Sequence, residues 1–151
     1  MKKRLLQIII LGICGGGFLA SSGWQEETIY RKGWGLIPAE SSVFENSFDA
    51  RIIPVLWAGK TRPLFFKAGP AFHLTPGQET VRIVATYGDG SIAALISTYG
   101  KGRGAVCGPH PEARRAWISE VKGKKTWTPS LDLATDFLKT LLSPIPLNGN
   151  N

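Results

Sequence analysis

The chain has 151 residues, 43% of them hydrophobic and 19% charged, which is enough for one globular domain with a sizeable core and too little for two full domains. Its 18 Lys and Arg exceed 11 Asp and Glu, for a net charge of +7, yet they fall in small groups (Lys2-Lys3-Arg4, Arg114-Arg115, Lys122 to Lys125) without the interleaved aromatics of a single-strand groove. These groups read as solvated surface with weak attraction for polyanions, and no specific nucleic-acid partner is expected; Cys14 and Cys107 show no metal-ligand spacing, which argues against zinc and leaves a disulfide open.

The N-terminus admits two readings. Met1-Lys2-Lys3-Arg4, the apolar run Leu5 to Leu11 and the small residues to Ser22 follow the order of a secretory signal peptide, which would mean export. Alternatively Leu5 to Ile13 is a buried parallel strand, Cys14 sits in the turn, and Gly15 to Ser22 opens a helix in a cytoplasmic protein. Either way the run is too short for a stable membrane span. Trp24 to Ser47 reads as loop, with one short strand near Gly35-Leu36-Ile37.

Arg51 to Trp57 and Pro63 to Phe66 read as proline-limited strands around the turn Ala58-Gly59-Lys60, and Gly69-Pro70 breaks the pattern before Phe72 and His73. Thr80 to Tyr87, the turn Gly88-Asp89-Gly90, and Ser91 to Ser97 predict a hairpin. The glycine-rich turn Tyr99 to Gly104 leads into a short strand ending at Cys107, which reads as a small core residue. Ala113 to Val121 predicts a helix after Pro111. Ser130 to Leu142, with a serine N-cap and apolar residues at helical spacing, predicts a second helix packed on the sheet. Residues 143–151 form an expected flexible tail to a single domain spanning 1–151.

Two separated motifs carry chemistry. In Gly12-Ile13-Cys14-Gly15-Gly16-Gly17 a thiol follows an apolar run and precedes glycines, which suits a sharp strand-to-helix turn where backbone N–H groups converge on an oxyanion. In Gly108-Pro109-His110-Pro111-Glu112 the imidazole can take the thiol proton while the carboxylate fixes its tautomer. Duller accounts stand beside these: Cys14 as a leader or buried thiol, His110 as a turn histidine, Glu112 as a helix-start carboxylate. His73 reads as structural, and Tyr99, Lys101 and Arg103 as either a pocket mouth or a solvated turn.

The motif from Gly12 to Ser21, Gly69-Pro70-Ala71-Phe72, and Tyr99-Gly100-Lys101-Gly102-Arg103 through Gly108-Pro109-His110-Pro111-Glu112 together resemble the biotin-protein ligase N-terminal domain family, within the class I glutamine amidotransferase-like group, over roughly residues 10 to 118. The resemblance implies an α/β, flavodoxin-like three-layer (αβα) fold with a hairpin-rich C-terminal half. It implies Cys14 as nucleophile, His110 and Glu112 as the His-x-Glu pair, and Gly15, Gly16, Gly69 and Pro70 as oxyanion or binding positions. The family carries several strands before its cysteine elbow, whereas thirteen residues precede Cys14. The resemblance therefore implies a fold incomplete at its N-terminus, with an open sheet edge that invites self-association. The expected activity is hydrolysis or transfer at a small amide through a thioester, with no cofactor and no metal. The alternatives are a non-catalytic module binding a small amide or carboxylate ligand, and a secreted protein with residues 1–22 as leader.

Overall fold

Hairpin chemistry dominates the chain from residue 51 to residue 107. The computed structural model describes residues 11–12, 24–26, 29–31, 37–45, 48–74, 76–77, 80–100 and 102–143. The strands are β1 (Leu11–Gly12), β2 (Trp24–Glu26), β3 (Ile29–Arg31), β4 (Ala39–Val43), β5 (Arg51–Trp57), β6 (Lys60–Phe66), β7 (Pro70–Leu74), β8 (Val81–Thr86), β9 (Ile92–Tyr99) and β10 (Gly102–Cys107). A 3₁₀ helix, Arg115–Glu120, and one α-helix, α1 (Leu131–Leu142), follow. Eight strands form one sheet with the path β1-β10-β9-β8-β5-β6; β4 pairs with β7, which meets β9 at Phe72 and Ile92, while β2 and β3 pair separately.

Among the described residues every ladder is antiparallel except β1 on β10. This overturns the flavodoxin-like three-layer expectation. A parallel layer needs crossovers of a dozen or more residues, usually helical. Here β5 returns into β6 through Ala58-Gly59, and β9 into β10 across the two positions between Tyr99 and Gly102, spans that permit only antiparallel return. Among the described residues α1 is the one α-helix laid on the sheet, and no second helical layer is found among them.

The Ala58-Gly59 turn has φ of 46° and 81°, the left-handed pair that matches strand twist in a two-residue hairpin. Pairs alternate from Trp57 and Lys60 outward, so Pro54 opposite Pro63 falls at a non-hydrogen-bonded site of the β5–β6 ladder, where neither ring removes a needed donor. Central β9 is buried from Ala93 through Ser97. Ala94 and Ile96 face α1, with Ala105 and Cys107 of β10, while Leu95 and Val106 point to the other side and join Ile37, Ala39 and Phe72. Two covered faces explain a continuous apolar run in place of alternation.

α1 buries Leu133, Phe137 and Leu141, spaced i, i+4, i+8, with Phe137 edge-on to Trp57 at 5.7 Å. Burial of each such side chain contributes about 1.5–3 kcal/mol before entropy is counted. Its N-terminus departs from the expectation: Ser130 makes no side-chain cap bond, and Asp132 is instead held by Arg62 through bonds of 2.9 and 2.8 Å. At the other end Arg103 donates to the carbonyls of Thr140 and Ser143, at 2.8 and 3.0 Å. Arg103, read from sequence as pocket mouth or solvated turn, caps the helix C-terminus, where a cation is favoured.

The helix expected over 113–121 forms as the 3₁₀ segment, with Trp117 N–H donating to Arg114 O and Val121 N–H to Ile118 O. Ile118 and Val121, three apart, share one side of a three-residue turn and pack with Trp117 on Phe65, Ala113 and Trp127. Four strands arise where none was read: β2, β3 and β4 inside the expected loop, and β7 immediately after Gly69.

Candidate functional site

The site is built where β10 ends. Gly108 N–H donates to Ala93 O at 2.8 Å, the Cys107 thiol to Pro109 O at 3.1 Å, and His110 N–H to Phe65 O at 2.8 Å. These bonds tie the segment after β10 to β9 and β6 and fix where His110 emerges. Gly69 and Pro70 lie directly beneath it: Gly69 packs on the Gly108 backbone, and the Tyr87 hydroxyl donates to Pro70 O at 2.8 Å. The expected binding positions Gly69 and Pro70 are therefore brought to within two residues of His110, as its support.

His110 is 5% exposed and stands edge-on between Phe65 and Trp117, with ring centroids 5.9 and 5.5 Å away. Its Nδ1 lies 2.9 Å from Glu112 Oε1. With the Nδ1 proton donated to that carboxylate, Nε2 carries the lone pair and is the proton acceptor. Glu112 is partly exposed, so it stays solvated on one side while fixing the ring on the other. An imidazolium formed at Nε2 would have its counter-charge already in place, in a largely apolar surround.

Cys107 is a free, buried thiol. Burial first, and the Glu112 charge second, push its pKa well above the ordinary thiol value. It stays a thiol at neutral pH and serves as a hydrogen-bond donor and core residue, not a nucleophile. Cys14, Gly15 and Gly16 lie outside the described residues. The strand before them is described: β1 runs parallel to β10, with Leu11 opposite Ala105 and Gly12 opposite Val106. The strand ending two residues before Cys14 thus lies beside the strand ending three residues before His110.

His73, the second histidine, belongs to a different place. Its Nε2 lies 2.7 Å from Ser42 Oγ, a diagonal pair on the exposed face of the β4–β7 ladder. Phe65 and Trp117, the walls of the His110 niche, carry no functional signal in the sequence; Phe65 reads only as a strand residue and Trp117 as part of a helix. Among the described residues no group of His, Cys, Asp or Glu is arranged to hold a metal ion. Tested against known proteins, the chain matches no family model and shows no significant match to a characterised protein.

Proposed function

We propose that the chain acts at carbon–nitrogen amide bonds through a Cys14-His110-Glu112 site, in the manner of the class I glutamine amidotransferase-like group that its motifs resemble. The reading is supported above all by one observation: a buried histidine, oriented by a carboxylate at 2.9 Å, sits just past the end of the strand on which the cysteine-bearing segment's strand is paired. His110 Nε2 takes the proton from the Cys14 thiol, and the thiolate attacks the amide carbonyl carbon. The carbonyl oxygen gains the negative charge and is met by the N–H of Gly15. Collapse of this adduct breaks the carbon–nitrogen bond, and the same proton passes from His110 to the departing amine. Water then cleaves the thioester, its proton taken by Nε2 and returned to the Cys14 sulfur.

The test separates the two cysteines. Brief iodoacetamide treatment followed by peptide mapping should label Cys14 and spare buried Cys107. The same preparation, given glutamine and simple primary amides, should release ammonia, and Cys14→Ala and His110→Asn should abolish that release. Equal labelling of both thiols with no ammonia from any amide would reject the reading. Amide binding by calorimetry without turnover would leave a non-catalytic binding module in its place. Among the described residues no helix is long and apolar enough to cross a membrane.

A further inference from the structure

The basic groups Arg114-Arg115 and Lys122 to Lys125 are separate in sequence, and the 3₁₀ helix with the turn at Gly123 folds them back on one another. Arg115 and Lys125, ten positions apart, then line one pocket of about 460 Å³ together with Thr126, Trp127 and Thr128. We propose that this pocket is an anion-binding site for a small ligand carrying a phosphate monoester or carboxylate beside an apolar group. The proposal does not rest on the thiol chemistry at His110.

Its chemistry follows from the lining. An exposed arginine and an exposed lysine line it from two segments, the guanidinium suited to a planar fork of two oxygens and the ammonium a mobile point charge. Neither makes an ion pair among the described residues, whereas Lys67, Lys122 and Arg62 are each matched by a carboxylate. The hydroxyls of Thr126 and Thr128 can each donate to a further anion oxygen. Trp127 supplies the apolar wall and is fixed in place, since it is buried to 8% and its Nε1–H donates to Pro63 O at 3.1 Å. Two cations without an ion pair among the described residues, two hydroxyls and a buried, hydrogen-bonded indole around one concavity describe a receptor for an anion with an apolar shoulder. The volume suits a small molecule and is too small for a folded partner.

Calorimetric titration of the full chain with phenyl phosphate, with benzoate and with neutral benzyl alcohol tests this. Saturable one-to-one binding of phenyl phosphate, benzoate or both is expected, weakening as salt is raised, with benzyl alcohol at least tenfold weaker. The tighter of the two anions identifies the head group. Arg115→Ala and Lys125→Ala should each reduce affinity about tenfold or more, the scale of one lost charge-assisted hydrogen bond. Arg82→Ala, which removes an exposed cation on β8 outside the pocket, should leave affinity unchanged. Absence of saturable binding for both anions would overturn the proposal. So would an equal loss in Arg82→Ala, since the attraction would then be the general field of a basic protein. Arg115 and Lys125 are exposed, so both variants should melt like the parent, and thermal unfolding checks that losses come from the pocket.

Discussion

Gly69 and Gly108 meet backbone to backbone under the candidate site. A Cβ on Gly69 would overlap the Gly108 carbonyl oxygen and come 2.9 Å from the Phe66 ring, while a Cβ on Gly108 would overlap the Tyr87 hydroxyl and the Pro70 carbonyl. The neighbours in the way are mostly main-chain atoms, which no rotamer change can move aside. The same contact holds the segment from which His110 emerges, so packing and site geometry are one constraint here.

Gly69→Ala and Gly108→Ala should each lose about 1–3 kcal/mol of stability in urea unfolding, the range for overfilling a packed position. Gly88→Ala is the control, because nothing lies within 4 Å of its added methyl and its backbone is not left-handed. Near-parental stability of Gly69→Ala would mean that the two backbones are not in contact.

Glu112→Gln tests the imidazole's orientation. The amide keeps the size of the side chain but removes the charge that favours a proton on Nδ1 and supports an imidazolium. Turnover should fall by about 10²-fold or more, in line with losing general-base assistance. Stability should change little, as the side chain is partly exposed. Iodoacetamide labelling of Cys14 should slow while Cys107 stays protected in both proteins. Unchanged turnover in Glu112→Gln would remove Glu112 from the site.

Much of the hairpin scaffold was legible in the sequence, because Arg51 to Trp57 and Thr80 to Ser97 carry their own β-branched runs and turns. The same holds for α1, whose Leu133, Phe137 and Leu141 mark one face. β4 and β7 were not legible: each has five residues, with Glu40, Ser41 and Ser42 facing β7 across the ladder, and their pairing is decided by tertiary register. The three-layer fold followed from motif resemblance, while the connection lengths already present at Ala58-Gly59 argued for antiparallel return. At the candidate site, the contact between His110 and Glu112 was legible because two residues in one turn need little of the fold to meet. The convergence of Arg115 with Lys125 was not, since it depends on the path through the 3₁₀ helix.

Acid should weaken the attachment of α1 to β6. Asp132 is held below the ordinary carboxylate range, first by its side-chain hydrogen bonds from Arg62, which outweigh desolvation, and then by the Arg62 charge. A carboxylate whose folded pKa is depressed stabilises the fold fully above its unfolded value, near 4, and loses that contribution as pH falls through the lower folded value. Asp132→Asn should therefore melt below the parent at pH 7, with the gap closing below about pH 4. Asp89, lowered by hydrogen bonds from the Ser91 side chain and backbone, adds to acid sensitivity in the same window, so Asp89→Asn should behave alike. A melting gap that persists at pH 2 would show that Asp132 acts through something other than its charge.

The β5–β6 turn stores a correctable strain. Ala58 sits at φ 46°, a left-handed conformation that an ordinary side chain adopts at a cost of about 1–2 kcal/mol, and that asparagine tolerates far better. The side chain is exposed, so its replacement meets no packing objection. The backbone N–H of Ala58 donates to Val84 O at 3.1 Å, a bond any residue but proline keeps. Ala58→Asn produces the Asn-Gly pair preferred in such hairpins and should raise stability by about 0.5–1 kcal/mol. Ala58→Gly should gain less, because the unfolded chain also becomes freer. Urea unfolding with an unchanged m-value is the measurement, and a loss of stability in Ala58→Asn would show that the turn is not left-handed at this position.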